Sequence, residues 1–251
     1  MVTPHTSKTF ADSVNVDIAI IYISNRLSGG MRDRIIASLG EVRRPRFLVY
    51  VMGPYKAFDI DAVIDGTDTT EGLHPAHIPD SLDFTTLVES ASDQHDVVFD
   101  LLLDVRDRLR TDPGVNAFLA VDIDIPLAEL DAATQSIEFA FASNAVVYII
   151  PRVGDNLGVG IEVGAVLEAI YRQREDRDED AHAACHHERV LFIHESGVRS
   201  AMIAGILDRW DARVYSYTGR EDLVTQVRVF LRDVARREQY GELPRLDYTC
   251  Q

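Results

Sequence analysis

The chain has 251 residues, 46% of them hydrophobic, and a formal net charge of -16 from 41 acidic against 25 basic side chains. A chain of that length and apolar content buries a real core, in one large domain or two small ones, and is no disordered acidic tail. Its charge excludes a sequence-independent clamp on nucleic acid, because neutralising phosphates needs a basic face.

Residues 1–30 differ in texture from the rest of the chain and end in Ser28-Gly29-Gly30, immediately before Met31. Two readings of them stand. Either they are a translated upstream extension and Met31 is the biological start, or Ile18 to Ile23 forms a short strand or helix packed on the domain edge. Met31 to Leu39 starts a clean helical pattern, and Phe47 to Met52 reads as a buried strand stopped by Gly53-Pro54. Residues 56–92 form a long acidic insertion containing Pro and Gly. A helix is expected over 94–111, with Val97, Leu101, Val105 and Leu109 on one face. Ala117 to Asp122 is the second strand and 127–142 the second helix of the alternating part. Ala145 to Ile150 is the third strand, and the amphipathic segment opening near Asn156 runs to about Tyr171. Val190 to His194 is the fourth strand, followed by a helix at 197–209. Arg213 to Tyr217 is the fifth, and 220–238 the closing helix.

Strands interleaved with helices imply an α/β fold, with a parallel sheet covered on both faces. Five such units suit a flavodoxin-like, doubly wound sheet of order 2-1-3-4-5. The domain is expected over 46–238, preceded by the extension and leading helix of 1–45 and followed by a tail, 239–251. In that order the chain reverses direction between strands 1 and 3, and ligands sit in the crevice beyond their carboxyl ends. The loops leaving those strands are Gly53-Pro54-Tyr55 and the run from Pro151-Arg152 to Glu162. The second ends in Asn156-Leu157-Gly158-Val159-Gly160-Ile161-Glu162-Val163-Gly164. A strand, a Gly-rich turn and a helix with a carboxylate in its first turn make a place for a small polar ligand. Glycines let the ligand approach the main chain, although tight helix–sheet packing can call for them too. The chain lacks a GxxxxGK[ST] phosphate loop, a GxGxxG after its first strand and a GxSxG elbow. P-loop hydrolysis, Rossmann-type dehydrogenation and α/β-hydrolase chemistry are therefore not expected.

Lys8 and Lys56 are the only lysines, so nearly every cation is Arg. An Asp-heavy, Lys-poor composition on an ordinary core suits the cytoplasm of a salt-loving archaeon, where concentrated salt screens self-repulsion, and the plainer alternative is a merely acidic mesophilic protein. Cys185 and Cys250 are too few for a disulfide framework or a paired-Cys zinc site, in keeping with a reducing cytosol. No apolar run is long enough to span a bilayer, and 14–23 lacks the flanks of a signal peptide. A soluble cytoplasmic protein with no membrane or nucleic-acid partner is expected. His182, Cys185, His186 and His187, with His194 beyond, lie in or after a run rich in Arg, Asp and Glu, the composition of a solvated loop. No metal is expected there. Asp122 and Asp124 flank the end of strand 2, and a solvated strand end is the plainer reading of both.

Three motifs, in order, carry a family resemblance over residues 46–235. Gly53-Pro54-Tyr55 resembles the Gly-Pro-aromatic turn of nucleoside 2-deoxyribosyltransferases. Ser143-Asn144-Ala145-Val146-Val147 resembles their Ser-Asp-Ala-Val-Val strand entry. Asn156-x-Gly158-x-x-x-Glu162-x-Gly164 resembles their Asp-x-Gly-x-x-x-Glu-x-Gly motif, in which the Glu is the nucleophile. The same fold and glutamate recur in Toll/interleukin-receptor-like NAD glycohydrolases. The resemblance implies a nucleoside or nucleotide N-glycosidase or deoxyribosyltransferase with Glu162 catalytic and no cofactor. Gly53, Pro54, Tyr55, Asn144, Arg152, Asn156 and Gly158 would bind substrate. A carboxylate can stabilise or attack the electron-poor anomeric carbon, Tyr55 can stack on a base, and Arg152 can meet a phosphate. Asn144 and Asn156 stand where those enzymes carry Asp, and a neutral Asn156 cannot protonate a departing base. A nucleotide-sensing or interaction module without turnover is therefore the alternative. Oligomeric state stays open, with a homo-oligomer suggested by fold-level analogy.

Overall fold

A computed structural model of the chain describes residues 30–40, 46–54, 84–152, 156–175, 186–198 and 212–246, and within its second and fourth helices the side chains of 96–111 and 163–172. Its strands are short apolar runs, as strands covered on both faces must be. β1 (Leu48–Met52) is buried along its whole length, and β3 (Ala145–Ile150) and β4 (Val190–Glu195) nearly so. β2 (Asn116–Phe118) and β5 (Arg213–Tyr217) form the edges. All neighbours pair in parallel in the order β2-β1-β3-β4-β5, the flavodoxin-like order that the alternation predicts.

Alternate side chains of each strand feed two cores, because successive residues point to opposite faces. Val49, Val51, Val147, Ile149, Leu191 and Ile193 pack against α2 (Phe84–Thr111) and α5 (Arg220–Tyr240). Leu48, Tyr50, Met52, Val146, Tyr148 and Phe192 pack against α1 (residues 30–39), α3 (Ala132–Ala142) and α4 (Asn156–Glu175). That second core is aromatic. Tyr148 stacks on Phe192 across β3 and β4 at 4.7 Å, and Tyr50 on Phe118 across β1 and β2 at 5.2 Å. Such pairs contribute about 0.5–1.5 kcal/mol each beyond the area they bury.

Several elements differ from the sequence expectation. α2 starts at Phe84, inside the stretch expected to be an insertion. Its buried stripe is Val98, Leu101, Leu102, Val105 and Leu109, while Val97 is 55% exposed. β2 is shorter than 117–122 because the Asp122 carboxylate folds back onto Leu119 N at 2.9 Å, turning the chain out of the sheet after Phe118. α3 starts at Ala132, not 127, where Asp131 caps it by accepting from Ala133 N and Thr134 N. Packing also continues beyond 46–238. Met31 and Ile35 of α1 are in the core, and Gly241 in left-handed conformation ends α5 so that Leu243 turns back into it. Ile18 to Ile23, the insertion up to 83, Trp210 and the helix expected at 197–209, from 199 onward, lie outside the described residues.

Candidate functional site

The carboxyl ends of β1 and β3 lie side by side, and the helices that follow them, α2 and α4, pack on opposite faces of the sheet. After β1 comes Gly53, where an added Cβ would stand 2.8 Å from Leu102 Cδ2 and 3.2 Å from the Ile149 carbonyl oxygen. α2 is seated against this turn, so the position admits only glycine without a shift of Leu102. Pro54 follows it, also buried. Tyr55 lies outside the described residues.

After β3 comes Arg152, whose backbone N–H donates to Glu195 Oε2 at 3.0 Å. Its guanidinium reaches sideways to the end of β4, where Nη2 donates to the Ser196 carbonyl and Nε stands 4.0 Å from Glu195 Oε1. Ser196-Gly197 is a tight turn with Gly197 at φ 94°. Beside it, Glu195 pairs in register with Tyr217 at the end of β5. Tyr217 is 3% exposed, and its hydroxyl has no hydrogen-bond partner among the described residues. Burial first, and then the negative charge of Glu195, push that hydroxyl's pKa up to about 12. Sequence reading missed Glu195, Gly197 and Tyr217. A Glu-Ser-Gly at a strand end is the one signal that was there to read.

Asn156 is the first residue of α4 and Gly158 belongs to the first helical turn, so the glycine run is helix, not a loop leading into one. The first turn holds no acidic residue, and Glu162 falls in the second. The side chains of Asn156 and Glu162 lie outside the described residues. One turn on, Val163, Val166, Leu167 and Ile170 anchor α4 to the sheet. A Cβ at Gly164 would meet no atom of the described residues within 4 Å. Glycine inside a helix costs about 1 kcal/mol relative to Ala.

Asn144 is not in this crevice. It precedes β3, at the amino end of the sheet, and is 1% exposed. Its Oδ1 accepts from Leu48 N at 2.9 Å and Arg32 Nη2 at 3.0 Å, and its Nδ2 donates to Glu238 Oε1 at 2.9 Å. Arg189 closes the cluster, donating to the Asn144 carbonyl at 3.0 Å and to Glu238. The resemblance carried a substrate-binding role to Asn144, but all of its polar side-chain atoms are spent on joining α1, β1, β3 and α5.

Asp122 is likewise structural, accepting from Arg106 Nη1 at 2.6 Å and Arg110 Nη2 at 3.2 Å, while Asp124 is exposed. His186 stacks edge-on against Phe141. Among the described residues no three His, Cys, Asp or Glu side chains gather closely enough to hold a metal ion, and His182 and Cys185 are outside them. No helix of the described residues is long and apolar enough to cross a membrane.

The sequence matches, over residues 32–247, the model of a family described as "Domain of unknown function (DUF7509)". The chain belongs to that family. The match takes in every strand of the sheet, the whole of α5 and the crevice residues from Gly53 to Tyr217. No curated protein matches the chain.

Proposed function

We propose that the chain is a nucleoside or nucleotide N-glycosidase, or a deoxyribosyltransferase-like enzyme, with Glu162 as its nucleophile. The strand order is the observation that supports this best. Reversal between β1 and β3 brings Gly53-Pro54 and Pro151-Arg152 to one crevice, and α4 begins at the same end of the sheet. Ligands of open α/β sheets bind at such a switch point. In the proposed reaction the Glu162 carboxylate attacks the anomeric carbon, and the departing base takes the electron pair of the broken C–N bond. Water, or a second base, then displaces the carboxylate from the glycosyl ester. Arg152, whose side chain is 57% exposed, offers a guanidinium to a phosphate.

A second reading is a nucleotide-sensing module without turnover. It draws on the neutral Asn156 at the start of α4 and on the position of Glu162 beyond the first turn. Incubation with nucleosides, nucleoside monophosphates and NAD in molar salt separates the two. Released base supports the enzyme, and binding without release supports the sensor. Neither binding nor release would end both.

A further inference from the structure

We propose that Glu195 and Tyr217 form a hydroxyl-binding subsite at the carboxyl edge of the sheet, and that it takes a sugar hydroxyl of the ligand. The inference rests on the nucleoside reading for the identity of the sugar, but its residues are independent of Glu162. Glu195 and Tyr217 are register partners on adjacent strands, so their side chains lie on the same face of the sheet. Glu195 extends from the end of β4 to the end of β3, where Arg152 N holds its Oε2 at 3.0 Å. Among the described residues the other oxygen has only the long 4.0 Å approach of Arg152 Nε, which leaves it acceptor capacity. Tyr217 carries a buried hydroxyl with no partner among the described residues. Leaving such a group unpaired is costly, and selection tolerates it where a ligand supplies the missing bond.

The chemistry of the pair narrows what fits. With its pKa near 12, the Tyr217 hydroxyl stays protonated at neutral pH and can donate to an oxygen. Glu195 beside Arg152 accepts and does not donate, and the nearby guanidinium makes the site a poor one for an ammonium group. One ligand atom that accepts from Tyr217 and donates to Glu195 satisfies both. A hydroxyl does this, whereas an ammonium group or an amide N–H only donates. Among the parts of a nucleoside, that group is on the sugar.

The test measures binding of adenosine, guanosine, cytidine and uridine, with their 2′-deoxy and 3′-deoxy counterparts, by calorimetry in molar salt. The full chain and the variants Tyr217→Phe and Glu195→Gln are compared. At least one ribonucleoside should bind the unaltered chain roughly tenfold or more tightly than one of its deoxy counterparts, the scale of a hydrogen bond shared with a charged group. In Tyr217→Phe that preference should shrink to about twofold or less, mainly through weaker binding of the ribonucleoside. The same variant should melt no lower than the parent, since it loses an unpaired buried hydroxyl. Glu195→Gln should reduce the preference as well. A full preference retained in both variants, or none in the unaltered chain, overturns the subsite and leaves water as its occupant. If no nucleoside binds any of the three proteins, the nucleoside reading itself fails and the subsite with it.

Discussion

Arg152 lies across Gly197. A Cβ on that glycine would come within 2.9 Å of Arg152 Cζ, and its φ of 94° is one that side-chain-bearing residues rarely adopt. The turn after β4 is thus built to let a guanidinium from the end of β3 rest on bare backbone and donate to the Ser196 carbonyl.

Replacing Gly197 by Ala tests that fit. The left-handed backbone costs about 1–2 kcal/mol for an L-residue, and the guanidinium must swing away. The variant should be less stable by about that amount in chemical denaturation. A crystal structure should show Arg152 released from Ser196. Unchanged stability with Arg152 still in place would mean that the turn relaxes freely.

At the other end of the sheet, Asn144→Asp makes this chain match the pattern of the enzymes it resembles and should damage it. The amide nitrogen of Asn144 donates to Glu238, and a carboxylate there would face Glu238 in a buried site. Arg32 and Arg189 offset part of the added charge, and the lost donor leaves a buried group unpaired at a cost of about 1–3 kcal/mol. The melting temperature should fall accordingly. An Asn144→Asp variant as stable as the parent would show that the cluster rearranges around a protonated acid.

The contrast between Asn144 and the crevice shows what was legible in the sequence. Strand identities and order followed from continuous apolar runs and helical spacing, because burial on both faces leaves that imprint. Helix starts did not, since they depend on single caps such as Asp131, and periodicity is silent about those. Asn144 stands at the strand entry where the sequence put it, but its binding role came from the resemblance alone, and a motif does not say what a side chain contacts. The pairing of Glu195 with Tyr217 was not legible because they belong to different strands, and only the parallel register of β4 and β5 makes them neighbours.

Salt should govern stability. With a formal net charge of -16, self-repulsion grows when salt is withdrawn. The screening length rises from about 3 Å at 1 M to about 30 Å at 0.01 M. Exposed ion pairs such as Arg34–Glu129, at 2.8 Å, strengthen under the same change, but such pairs contribute only about 0–1 kcal/mol each. Repulsion therefore wins, and the melting temperature should fall steadily towards low salt. A flat profile would remove the halophilic reading.

Glu138 of α3 carries a pH signature. It is 5% exposed and its Oε2 has no hydrogen-bond partner among the described residues, and burial pushes its carboxyl above the usual range. The folded state therefore holds this proton more tightly than the unfolded chain does. Its contribution to stability is full below the unfolded value of about 4.3 and declines as pH rises through the higher folded value. Glu138→Gln is neutral throughout and lacks that decline. The stability of the variant relative to the parent should increase from acid to neutral pH. A difference independent of pH would mean that Glu138 is no more protonated folded than unfolded.

Glu162→Gln carries the functional claim. The amide keeps the shape of the side chain but cannot form a glycosyl ester or offset a full positive charge at the anomeric carbon. Base release should fall by roughly two or more orders of magnitude, the scale expected for removing a nucleophile. On the same reading stability should stay within about 0.5 kcal/mol of the parent, the range of a substitution that breaks no core contact. If Glu162 instead serves its own helix, pairing with an Arg along α4, Gln would lower stability and spare turnover. Ligand binding measured alongside keeps the two apart, because a lost nucleophile leaves affinity in place. Full turnover by the Gln variant would end the glycosyl-ester mechanism.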